Sequence, residues 1–156
     1  MPVTPPTPTP YLFTVGSTFA VSTDSGSSWI TVGGTKSVTP SGQKRNFSDT
    51  TNLGSAGGYM ESAPTLKDPG QVAVAGVFDQ HDAGQIALQA AYDAGTLLLC
   101  KETLTLQGTD TTGATREYFG FVQEPLTFPV NGEIAQFSAS IKITGQIIFT
   151  AGTPAS

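Results

Sequence analysis

Between Glu133 and Phe149 the sequence EIAQFSASIKITGQIIF alternates apolar and polar positions. Ala135, Phe137, Ala139, Ile141, Ile143, Ile147 and Phe149 share one parity, and Gln136, Ser138, Ser140, Lys142, Thr144 and Gln146 the other. Successive strand side chains point to opposite sides, so the pattern predicts a β-strand with one apolar and one polar face. The polar face carries a single charge, and the run exceeds the usual strand of about 5–6 residues. A strand of this kind suits a sheet that lines or covers something, and it offers no chemistry.

The segments upstream read as further strands and one helix. Tyr11–Thr23 is rich in β-formers, DSGSS is a turn, and Trp29–Gly34 is a second short strand, which together predict a hairpin. Lys36–Pro69 is dense in Ser, Thr, Gly, Asn and Pro, with Val38, Phe47, Leu53, Tyr59, Met60 and Leu66 as its sparse apolar anchors. This composition predicts a long loop, which in a compact domain is functional or disordered; the functional version is an arm that orders on a neighbour. Gln71–Phe78 is small and apolar at both parities and predicts a strand buried on both faces. Asp79 then opens a helix, with Asp79 at the N-cap, Asp82 at N3 and Gly95 as terminator. Its apolar stripe is Ile86, Ala87, Ala90 and Ala91, edged by Leu88 and Tyr92. Strands at Thr96–Leu106 and Thr115–Val122 and a Pro-bounded segment, EPLTFPVNG, lead to the closing strand.

This order predicts a mainly β, α+β domain over residues 11–150: a twisted sheet or sandwich-like barrel with one α-helix, about 79–94, packed on it. A Pro/Thr-rich arm, residues 1–10, and a short tail, 151–156, flank it.

Composition narrows the function. Charged residues make up 12% of the chain, against about 25% in ordinary soluble domains. Either the domain is a sparsely charged monomer or much of its exterior is buried against other subunits, whose interface cores are depleted in charge. The formal net charge of −5 argues against gripping nucleic acid through phosphates, which takes clustered Lys and Arg. It does not argue against a channel that lets DNA pass. The single Cys100, in LLLCKE, reads as a small core residue and allows no disulfide framework within the chain. No Sec-type signal and no apolar run near the ~20 residues of a membrane span are evident, so a soluble protein made in a cytoplasm is expected.

Candidate chemistry is sparse. Asp79, His81 and Asp82 lie within one helix start but do not converge on a point, and helix capping accounts for the aspartates without a metal. With a single histidine and a buried cysteine, neither a triad nor a zinc site assembles. The glycines at 32–34 and 54–58 lack a phosphate-loop context. No catalytic residue, metal or cofactor is expected.

Several stretches together resemble the major tail tube proteins of long, flexible-tailed bacteriophages. They are the MPV start, the hairpin ending in a Trp-bearing strand, the long polar loop, the run PTLKDPGQVAVAGVFDQHDAGQIALQAAYDAGT, and the closing FSASIKITGQI. The resemblance spans roughly residues 11–149, without the extra C-terminal immunoglobulin-like domain of some members. It implies a structural virion protein whose copies form hexameric rings, joining their sheets into a continuous barrel. Rings would stack around a tape-measure protein, meet other tail proteins, and later conduct double-stranded DNA. The chain itself would insert in no membrane, be made in the host bacterial cytoplasm and end in the virion.

On this reading Gln136, Ser138, Ser140, Lys142, Thr144 and Gln146 face the lumen, with Lys142 leaving the sign of its lining open. Lys36, Lys44, Arg45, Phe47, Tyr59 and Met60 make the ring-to-ring contact. The competing class is a monomeric or trimeric binding module, carbohydrate-binding or capsid-decorating, for which Trp29, Phe119 and Phe121 would be the aromatics. Their alternation reads instead as core.

Overall fold

The computed structural model describes residue 12 and residues 14–156; the arm expected at 1–10 lies outside them. In chain order the elements are β1 (Thr18–Ser22), β2 (Ile30–Thr31), β3 (Thr35–Ser41), β4 (Lys44–Asp49), β5 (Ser62–Asp68), β6 (Gln71–Val77), α1 (Ala83–Ala94), β7 (Leu97–Thr103), β8 (Thr115–Thr127) and β9 (Gln136–Thr150). Seven strands form one antiparallel sheet in the order β2-β1-β7-β8-β9-β6-β3, and β4 and β5 pair as a separate hairpin. The expected mainly β architecture with one helix is borne out. The sheet rolls far enough for β1 to approach β3 from across the domain.

The concave face and the helix close the core. Phe19, Val21, Val72, Val74, Leu98, Cys100, Tyr118, Phe137, Ile141 and Ile143 point inward from the strands, and Leu88 and Ala91 from α1. Within β9, Phe137, Ala139, Ile141 and Ile143 are buried at the predicted parity. The strand starts at Gln136, leaving Ala135 outside it. Gly145, with φ of 81°, sits where the β8–β9 register shifts; beyond it Ile147 only borders the core and Phe149 is 66% exposed. The apolar pattern outlasts the core beneath it.

Three other expectations are corrected. Lys36–Pro69 is not a loop: it contains the rest of β3, the β4–β5 hairpin and a short 3-10 turn at Ala56–Gly58. Asx and Ser/Thr bonds shape the hairpin tip, where the Asp49 carboxylate accepts the Thr51 N–H at 2.8 Å and the Asn52 amide oxygen accepts that of Gly54 at 2.8 Å. Strand β6 buries Val72, Val74 and Gly76 but leaves Ala73 exposed, so its small residues mark close backbone approach instead of two-sided burial. A Cβ at Gly76 would collide with the Gly34 carbonyl. Finally, β8 continues past Val122 through Pro125, because register shifts around Glu124 relieve the ladder bond that proline cannot make.

The β1–β2 hairpin forms as predicted. Asp24 holds its turn by accepting the Ser22 and Ser28 hydroxyls, both at 2.6 Å, and the Ser28 N–H at 2.9 Å. These bonds lower its pKa from 3.8 to about 2. The tail expected at 151–156 is tied down through Thr153, whose carbonyl accepts the Thr111 N–H at 2.7 Å.

Candidate functional site

The polar parity of β9 forms part of the sheet's outer face. Gln136, Ser138, Lys142, Thr144 and Gln146 are exposed. Ser140 departs from the expectation at 9% exposure; it lies between Ala73 of β6 and Glu124 of β8. The polar stripe continues onto β6, where Gln71 sits opposite Lys142. On the other side it turns apolar, because Phe119 faces Thr144, Phe121 faces Lys142, and Leu97 faces Phe121. Leu97, Phe119 and Phe121 are all exposed, so the alternation of the two phenylalanines places them outside the core, contrary to expectation. Trp29 is half-buried, with the Lys101 ammonium 4.1 Å from its ring centre.

The β4–β5 hairpin is the second surface. Every residue of β4 is exposed, and Phe47, Leu53, Tyr59, Met60 and Leu66 are large apolar groups left in solvent. Of the predicted contact residues, Lys44, Arg45 and Phe47 lie on β4, with Tyr59 and Met60 near the tip. Lys36 does not join them. It sits in β3 at a register shift between Thr35 and Ser37, facing a cavity shared with Glu102. At the hairpin base, the Lys142 ammonium is 3.9 Å from the Asp68 carboxylate.

The helix start differs from the prediction in a physically informative way. Asp82, not Asp79, is the N-cap: its Oδ2 accepts the Gln85 N–H at 2.9 Å and the Gly33 N–H at 3.1 Å. Asp79 shapes the preceding turn by accepting the His81 N–H at 2.9 Å. Gly95 ends α1 in the left-handed region, as expected, and the Thr96 N–H reaches back to the Ala91 carbonyl at 3.0 Å. The buried stripe is Gly84, Gln85, Leu88 and Ala91; the predicted Ala91 is in it and Ala87 packs at its border, while Ile86 and Ala90 are exposed. Gly84 permits this rotation, since a Cβ there would lie 2.5 Å from the Thr31 carbonyl oxygen and the Val32 Cα. Ile86 is left facing out, over a 360 Å³ groove shared with Phe78, Asp79, Leu126 and Phe128.

Two features, one buried and one part-buried, carry no sequence signal. The Gln85 side chain accepts the Asp79 N–H at 3.0 Å and donates to the carbonyls of Gly33 at 2.9 Å and Val77 at 3.0 Å. One amide thus ties helix, β2–β3 turn and β6 together. At the other end of the core, Glu102 accepts the Tyr118 hydroxyl at 2.8 Å and pairs with Arg116. A glutamine inside a helix and a Lys-Glu pair in a strand carry no special signal in one dimension.

The electrostatics are structural. Burial foremost, then the Glu102 carboxylate, pushes the Cys100 thiol from 9.0 up to about 12, so it stays protonated and unreactive. The same two causes hold the Tyr118 phenol above its ordinary range. Among the described residues, no three His, Cys, Asp or Glu side chains cluster to hold a metal.

The sequence matches no family model and no curated protein. Solved structures do match. A chain from the tail of an empty gene transfer agent particle, refined with C6 symmetry, superposes with TM-score 0.65 at 17% identity, covering 86% of this chain and 95% of that one. A chain of the SPP1 tail tube gives 0.64 at 15% identity, covering 89% and 78%. A chain of the anti-feeding prophage baseplate gives 0.66 at 4% identity, covering 96% and 98%. The chain has the fold of the tail tube proteins of phage-like particles.

Proposed function

We propose that the protein is a major tail tube subunit. Its copies close into rings, hexameric on this reading, and the rings stack into a tube through which phage DNA is delivered. The observation that carries this is the hairpin of exposed apolar residues standing off a domain with a tail tube fold. A monomer gains nothing from leaving Phe47, Leu53, Tyr59, Met60 and Leu66 in water, whereas a hairpin reaching onto another copy buries them. The outer sheet face supports the same reading. Its polar stripe suits a water-filled lumen, and the adjoining Leu97, Phe119 and Phe121 suit cover by a neighbour. The net charge of −5 disfavours adhesion of passing phosphates.

The role is structural, not enzymatic. The partners are further copies, a tape-measure protein, other tail proteins, and double-stranded DNA in transit. The protein is made in the host bacterial cytoplasm and ends in the virion.

Negative-stain microscopy of the concentrated protein tests this, with rings or tubes as the expected result and monomers alone as the result that overturns it. A finer test joins Gln43 to Pro69 through a short Gly linker in place of Lys44–Asp68. Ser41 and Gln71 are already cross-strand partners, so the core is expected to fold and tube formation to stop. The exposed Phe119 and Phe121 favour a second reading, a carbohydrate- or capsid-binding module. That reading is supported by a monomer whose glycan or capsid binding disappears in Phe121→Ala.

A further inference from the structure

The cations of this chain are unevenly placed. Arg116 is paired with Glu102 and Lys101 lies over Trp29. Lys44, Arg45 and Lys67 instead line a groove of about 740 Å³ at the hairpin base, where Asp68 is the one acid among the described residues of the wall. Lys142 adds a further positive charge beside Asp68. The groove is not simply basic, since Leu66, 82% exposed, and Ile147 also line it.

The complementary surface lies at the other end of the domain. Strand β6 runs from Gln71, at the groove, to Val77, paired along the way with Lys142 through Gln136 of β9; that is about 20 Å of extended chain. Just past Val77, the rings of Phe78 and Phe128 stack at 4.4 Å, and the Phe78 N–H donates to the Ala135 carbonyl at 2.9 Å. This fixes the root of the loop over residues 129–135. In that loop Val130 and Ile134 are 93% and 77% exposed, and Glu133 stands between them.

We propose that the basic groove of one copy receives the loop at Val130–Ile134 of a second copy, with Glu133 against Arg45 and Lys67 and the flanking apolar groups against Leu66 and Ile147. This rests on the tube reading and names the receiving and inserted surfaces of its axial contact. Groove and loop lie at opposite ends, so the contact is head-to-tail, and stacked along the axis of the proposed tube it gives a filament of fixed polarity. An acidic loop with apolar flanks covers both kinds of wall, whereas a phosphate backbone would satisfy the cations and leave Leu66 in water.

The test measures the critical concentration for tube formation by sedimentation and negative-stain microscopy. Arg45→Glu with Lys67→Glu is expected to raise it roughly tenfold or more, and Glu133→Lys to raise it less. The three changes together are expected to bring it back towards the wild-type value. Circular dichroism melts check that each variant folds, and Glu133→Lys probes the contact independently of the hairpin. Unchanged polymerisation of the single-site variants, or no recovery in the combined one, overturns the proposal. So does a reversal that abolishes binding of a short DNA duplex while tubes form normally, because the groove then reads phosphate. Wild-type protein that never polymerises overturns the tube reading itself and this contact with it.

Discussion

Replacing Gln85 with Leu preserves side-chain bulk but removes the amide that ties α1 to the β2–β3 turn and β6. Gln85 is 1% exposed, and its amide satisfies the Asp79 N–H and the Gly33 and Val77 carbonyls. A buried backbone group left without a partner costs about 1–3 kcal/mol. Asp79 and Gly33 belong to turns and regain some hydration, so the low end applies to them, for a gross loss of roughly 4 kcal/mol. The added apolar burial of Leu offsets about 1 kcal/mol, leaving a net loss of about 3 kcal/mol. For a domain of this size that lowers the melting temperature by about 6–12 °C. Thermal and urea unfolding followed by circular dichroism read this directly. Gln89→Leu is the control, because Gln89 is only half-buried and bonds the Leu126 N–H at 3.1 Å and Asp93. A Gln85→Leu melting shift no larger than the control's refutes the argument that this amide is a structural tie.

Gly84→Ala is expected to lower stability by about 2 kcal/mol or more, since the new methyl meets backbone of β2 that cannot yield; an unchanged urea midpoint would refute it. Glu102→Gln leaves Arg116 without its carboxylate, and because the pair is partly exposed the expected loss is about 1–2 kcal/mol, read as a lower urea midpoint. Cys100 is expected to resist alkylation at pH 8 in the folded protein and to react once unfolded, checked by mass spectrometry. Alkali is expected to destabilise the fold: the raised pKa of Cys100 contributes stability that is complete below pH 9.0 and is lost as the pH climbs to about 12, with Tyr118 adding in the same direction. A flat melting temperature across that window would refute this.

What the sequence made legible was periodic. The parity of Phe137 to Ile143 located the inner face of β9, the hairpin was visible in Trp29–Gly34, and Gly95 marked the helix end. Errors arose where three-dimensional packing overrides local pattern. Two aspartates compete for the cap, and the winner is the one that can also accept from Gly33, a partner far away in sequence. The buried side of α1 is set by the backbone clearance at Gly84 rather than by the most apolar stripe. The β4–β5 hairpin is hidden because none of its strand residues is fully buried within the chain, so they carry no alternation to detect. The candidate surfaces shared that difficulty. The polar face of β9 is readable except at Ser140, while the break between Lys36 in β3 and the residues of the β4–β5 hairpin carries no signal in the sequence.

The attachment of the hairpin has a consequence for how the molecule can vary. The chain leaves the main sheet at Ser41 and returns at Gln71, which are ladder partners, through Gly42 and Gly70, both at positive φ. An insertion with touching ends can grow or shrink without moving its anchor points. Each residue added to both strands extends it by about 3.3 Å, and the closure entropy rises only slowly with length. The distance the hairpin stands off the sheet is therefore a dimension that mutation can adjust while the hydrophobic core stays as it is.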